Sequence, residues 1–110
     1  MPCVTRIIFH NLEHSAAIET QVREKVQQLE HFFPHLQNCD VTLELPHKHR
    51  HQGAQYEVHI NLAVPGAELA VNHQSSEDLY LALHDAFDAA RRRLQDFEGS
   101  RRSHKYDDRV

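Results

Sequence analysis

Hydrophobic positions along the chain change period several times, and each change marks an element. Val4-Thr5-Arg6-Ile7-Ile8-Phe9 is rich in β-branched residues and predicts a first strand over residues 4–9. His10 to His14 form a connector, and Ser15 offers a helix N-cap. Ile18, Val22, Val26, Leu29 and Phe33 then recur at three- and four-residue spacing, which places them on one helical face. Pro34 ends that helix, because the residue before proline is pushed out of the α region. Val41, Leu43 and Leu45 alternate with Thr42 and Glu44, predicting a strand over 40–45 that Pro46 closes. The longest alternation follows: Tyr56, Val58, Ile60, Leu62 and Val64 share one face, and Glu57, His59 and Asn61 the other. Pro65-Gly66 is a turn signal, and Leu69 and Val71 resume the alternation, so residues 54–73 read as a hairpin. Ser75 or Ser76 caps a second helix, with Glu77 and Asp78 in its first turn. Its stripe is Leu79, Leu83, Ala86, Phe87, Ala90, Leu94 and Phe97, and Gly99 is the expected stop.

The order is β-α-β-β-β-α, with one apolar face per element. The expected fold is α+β, a four-stranded mixed sheet with two helices packed on one face. The first two strands are expected parallel and the rest antiparallel. Leu29, Ile60, Leu62, Leu83 and Phe87 are expected to share one core. Ala82, Ala86 and Ala89 are expected to make a small-residue edge where the first helix packs closely. Residues 1–99 read as one domain, and 100–110 as a mobile basic tail without apolar period.

Charge changes the picture more than composition does. The 110 residues carry a net charge of -4, which argues against bulk electrostatic binding to nucleic acid. The distribution is uneven: residues 1–46 are net -3, 47–66 are +1, 67–98 are -4 and 99–110 are +2. An acidic body thus carries a weakly basic loop and a basic tail, and 11 histidines hold further charge in reserve at lower pH. Mean hydropathy is -0.64, no apolar run is long enough for a membrane span, and the start lacks a signal-peptide pattern, so a cytoplasmic chain is expected. Cys3 and Cys39 fit neither a zinc spacing nor a disulfide framework and read as free thiols at the same end of the sheet.

Catalytic chemistry finds little support. The chain lacks a Gly-rich phosphate loop, a Ser-centred elbow and a His-Glu metal motif, so neither an enzyme nor a cofactor or small-molecule substrate is expected. His47, His49 and His51 would share a face if extended and could take up nickel or zinc as a purification tag does, but no physiological metal site is expected. A solvated loop is the first reading of His47-Lys48-His49-Arg50-His51, and an RNA-facing role the second. Arg91, Arg92 and Arg93 fan out by about 100° each, with Arg92 pointing away from the core. Tyr80 reads as structural, at the edge of the sheet. His59 and Asn61 occupy the open sheet face where RNA-binding sheets present aromatics, so base stacking there is disfavoured.

The chain resembles the ribosome hibernation-promoting factors, or ribosome-associated translation inhibitors (the sigma-54 modulation protein family), in their short form. The resemblance covers about residues 4–98. It rests on the strand ending in Phe9, Asn11 in the connector, and Ser15-x-x-Ile18-x-x-x-Val22-x-x-Lys25-x-x-x-Leu29-Glu30. The hairpin Tyr56-x-Val58-x-Ile60 with Pro65-Gly66, and Asp78-Leu79-Tyr80-x-Ala82-Leu83 running to Arg91-Arg92-Arg93-Leu94, complete it. The resemblance implies a βαβββα fold and a non-enzymatic role. Such proteins bind the small ribosomal subunit and its 16S-type rRNA, occupy the mRNA–tRNA channel and silence ribosomes under stress. The residues expected to contact RNA are Arg23, Lys25, Lys48, Arg50, Arg91, Arg92, Arg93, Arg101, Arg102 and Lys105. Off the ribosome a monomer is expected. Glu19 and Gln28 stand where basic residues are common in the family, so weaker or more salt-sensitive binding is expected. The rival expectation is a small non-enzymatic interaction domain whose acidic surface binds a protein and which does not bind ribosomes.

Overall fold

A computed structural model describes residues 3–45 and 56–107, without the side chains of 73–76 and 100–107. The predicted alternations become β1 (Val4–His10), β2 (Asn38–Glu44), β3 (Tyr56–Val64) and β4 (Ala67–Ser76). The two helical stripes become α1 (Ala16–Phe32) and α2 (Leu79–Asp107). The loop carrying Lys48 and Arg50, and its three histidines, lies outside the described residues.

The strands form one sheet in the order β1-β2-β3-β4. β1 runs parallel to β2, with Ile7 opposite Val41 and Phe9 opposite Leu43. β2–β3 and β3–β4 are antiparallel. Pro65 and Gly66 make the two-residue turn between β3 and β4, and Gly66 takes φ 84°, where a Cβ would be strained. Asn11, at φ 60°, turns the chain out of β1, a conformation asparagine tolerates better than most residues.

Both helices cover the same sheet face. Cys39, Val41, Leu43, Val58, Ile60 and Leu62 of the sheet are fully or almost fully buried against Val22, Val26 and Leu29 of α1 and Ala82, Leu83, Ala86, Ala90 and Leu94 of α2. Each large aliphatic side chain buried this way contributes about 1.5–3 kcal/mol. No polar or charged residue is buried among the described residues, so the helix–sheet interface is wholly apolar. Ser15 caps α1 as expected, its Oγ accepting from the Ile18 N–H at 3.3 Å. At the other end the Phe33 N–H still donates to the Leu29 carbonyl, and Pro34 stops the next turn.

Three local expectations need correction. Ser75 and Ser76 do not cap α2; they finish β4, where Ser76 pairs with Tyr56. The cap is Asp78, whose Oδ1 accepts from the Tyr80 N–H at 2.9 Å and the Leu81 N–H at 3.4 Å. Nor does Gly99 end the helix: α2 continues through it to Asp107. A glycine inside a helix costs only about 1 kcal/mol relative to alanine, and its side-chain position here meets open space. The third concerns the alanine edge. The flank of α2 that faces α1 carries His84, Phe87, Asp88 and Arg91. Ala82, Ala86 and Ala89 lie roughly 140–180° around the helix from Arg91. They therefore do not seat α1. On the facing flanks a surface cleft opens between the two helices, where close packing along the alanines was expected.

Candidate nucleic-acid interface

The cleft between the helices has a volume of about 250 Å³. Lys25, Gln28, Leu29 and Phe32 line it from α1; His84, Phe87, Asp88 and Arg91 line it from α2. Its position follows from helical geometry. Lys25 and Phe32 stand on the α2-facing edge of the α1 stripe, and Arg91 stands on the α1-facing edge of the α2 stripe. Leu29 and Phe87 make its floor, being 4% and 6% exposed, while Phe32 is 65% exposed at the rim. A basic rim with an open aromatic beside it suits a polyanion that carries planar bases.

The expected helix cations are gathered only in part. Lys25 and Arg91 meet at the cleft. Arg92 follows on the outer surface of α2, and Arg93 is exposed on its far flank. Arg23 lies about 160° around α1 from Lys25. It faces away from α2 and pairs with Glu19, Nε to Oε2 at 3.5 Å. Glu19 also contacts His14 at 2.7 Å, and that hydrogen bond, ahead of the Arg23 charge, holds its carboxyl below the usual range. The positive surface is thus the Lys25–Arg91–Arg92 side, with Arg23 outside it. Arg101, Arg102 and Lys105 lie on the last turns of the α2 backbone.

Asp88 organises the arginines. Its two oxygens accept from Arg91 at 3.2 Å and Arg92 at 2.9 Å. The Arg91 hydrogen bond, with the Arg92 charge beside it, holds the Asp88 carboxyl below the usual range. Pairs this exposed are screened by water and salt and contribute little, so a phosphate can displace the carboxylate. Lys25 and Arg93 have no ion-pair partner among the described residues. Phe32 went unnoticed in the sequence because it falls one step, about 100°, off the buried stripe that ends in Phe33. A large aromatic just off a stripe and seven residues after a lysine was the available signal.

The opposite face of the sheet is acidic. It carries Asp40, Glu44, Glu57 and Glu68 against Arg6, with His10 and His59 among them. The described side chains of this face include no Phe, Tyr or Trp.

Two helices side by side on one face of a four-stranded mixed sheet, in the order βαβββα, define an α+β domain with a helical face and a bare acidic sheet face. The chain belongs to the family described as Sigma 54 modulation protein / S30EA ribosomal protein, whose family model matches residues 5–102. Its fold is similar to that of the Thermus thermophilus Protein Y N-terminal domain, with a TM-score of 0.70 and 26% identity over 88% of this chain and 99% of that one. It is also similar to a ribosomal subunit interface protein from Coxiella burnetii, with a TM-score of 0.73 and 13% identity over 86% of this chain and 97% of that one. Among curated proteins no sequence matches this chain.

Proposed function

We propose that this protein is a ribosome-binding translation inhibitor, a hibernation factor that lies in the mRNA–tRNA channel of the small subunit with its helical face on 16S-type rRNA. The observation that carries this reading is the family match across residues 5–102. The charge geometry supports it: the acidic sheet face repels phosphate, and the Lys25–Arg91–Arg92 side accepts it. Phosphate contacts of this kind give affinity without reading sequence. Phe32, open at the rim of the cleft, offers one stacking surface to an unpaired base. Arg101, Arg102 and Lys105, and Lys48 and Arg50, are further cations of the chain that this reading assigns to RNA. The protein acts as a monomer in the cytosol, needs no cofactor and performs no catalysis.

Cosedimentation with 30S and 70S particles tests the reading. The unmodified chain pellets with ribosomes at physiological salt and inhibits translation in a purified system. Chemical footprints fall in the mRNA–tRNA channel. Arg91→Glu, Arg92→Glu and Arg93→Glu together abolish the association while leaving the circular dichroism unchanged. Wild-type affinity falls steeply with salt, because each neutralised phosphate adds to the slope. Normal pelleting of the triple variant sinks the helical surface. An unmodified chain that neither pellets nor inhibits sinks ribosome binding altogether and favours a protein partner on the acidic face.

A further inference from the structure

One group of side chains on the open sheet face plays no part in the RNA-binding surface. Glu44 on β2 stands directly opposite Glu57 on β3 in the antiparallel register. Like charges so placed destabilise a sheet unless a cation lies between them. His59, two residues along β3 from Glu57, reaches both. Its Nε2 lies 3.3 Å from a Glu57 oxygen and 3.7 Å from a Glu44 oxygen. All three donor atoms fall within 4.8 Å of one another. The β3–β4 register shifts between Tyr56 and Val58, so Glu57 sits at an irregularity of the kind that re-aims a side chain.

The orientation of the imidazole is fixed from outside the group. His59 Nδ1 lies 2.9 Å from Asn72 Oδ1 on β4. An amide oxygen only accepts, so with Asn72 Oδ1 facing it Nδ1 is the donor of this contact, and the ring is turned with Nε2 towards the two carboxylates. Glu44 is steadied in the same way, its second oxygen lying 3.3 Å from His10 Nδ1. A ligand imidazole donating its other N–H to an oxygen, beside a ligand carboxylate held by a neighbour, is the arrangement that supports metal ligands. Two ligands of a tetrahedral ion at about 2.0–2.1 Å stand about 3.3 Å apart, close to the separations here.

We propose that Glu44, Glu57 and His59 bind a divalent metal ion of the zinc type on the open sheet face, with Asn72 and His10 as positioning residues. The nitrogen-plus-carboxylate donor set suits Zn²⁺, and the half-buried setting leaves room for water at the fourth position. The site is remote from the helical cleft and does not depend on the ribosome-binding reading.

The test uses the full-length, untagged chain carrying His47→Asn, His49→Asn and His51→Asn, which removes a competing set of alternate histidines. Zn²⁺ is titrated calorimetrically, and Co²⁺ serves as a spectroscopic probe of geometry. The expected result is one saturable equivalent of Zn²⁺ and a tetrahedral Co²⁺ spectrum. His59→Gln and Glu57→Gln each remove that binding. Asn72→Ala weakens it by about 10–100-fold, the usual loss on removing an orienting partner. Thermal melts without metal show that each variant is folded. Absence of saturable binding, or binding unchanged by His59→Gln in a folded chain, overturns the site and leaves a histidine–carboxylate pair only.

Discussion

Cys39 shows how far a single residue can depart from its first reading. It was expected as a free thiol, and it is one, but it is also a core residue with no exposed surface. Burial, with smaller contributions from Cys3 and Asp40, pushes its thiol up from 9.0 to about 12. Burial and the Glu30 charge push Cys3 up to about 11. Both thiols therefore stay protonated and weakly nucleophilic at neutral pH. Their folded-state values lie above the unfolded ones, so the stability they contribute is complete below about pH 9 and is lost as the pH rises towards about 12. Denaturant midpoints across that range should fall less for Cys39→Val than for the unmodified chain, and native Cys39 should resist alkylation at neutral pH until the protein is unfolded. The predicted strand starts only at residue 40, whereas β2 begins at Asn38, which puts Cys39 in line with Val41 and Leu43. What spacing could not supply was the contribution of Phe33 and Leu36, which follow α1 and are buried in the same core.

At the scale of elements, the patterns carrying a strong local signal were legible. Ser15 and Pro34 bracket α1, and Pro65-Gly66 forces the β3–β4 turn. The start of α2 was misread because Ser75, Ser76 and Asp78 are all good caps, and only strand pairing decides among them. β4 runs on to Ser76, which leaves Asp78 to accept the first free helical N–H groups. Asp78→Ala should therefore destabilise the protein by about 1 kcal/mol, read as a shift in the denaturant midpoint with an unchanged slope. The end of α2 was misread for a related reason. Gly99 is a stop only where the following residues gain more by leaving the helix than by continuing it.

At the scale of the whole molecule, each stripe was legible but the rotation of one helix against the other was not. A stripe says which side of a helix meets the sheet. It does not say which flank meets the neighbouring helix, and so the alanines were placed on the wrong flank and Arg23 in the wrong group. The same assembly puts Lys25, Arg91 and Arg92 on the helical side, beside Asp88, and Asp40, Glu44, Glu57 and Glu68 beneath the sheet. The two layers hold these faces further apart than the ~8 Å screening length at physiological salt. Neutralising the acidic face with Asp40→Asn and Glu68→Gln should therefore change ribosome affinity by less than about twofold at that salt. The gain should appear only at low ionic strength, in a cosedimentation series with salt.

The parallel pairing of β1 with β2 has a consequence for how the molecule is made. Val64 meets Ala67 across a two-residue turn, whereas Val4 meets Asn38 only after the whole of α1 has been laid down between them. Closing the longer loop costs more chain entropy before any contact repays it. β2, β3 and β4 form a contiguous antiparallel run that can assemble from neighbouring segments. β1 is an edge strand that hydrogen-bonds to β2 alone. β1 is thus the strand of this sheet that must wait longest for its partner, since the whole of α1 is made before β2.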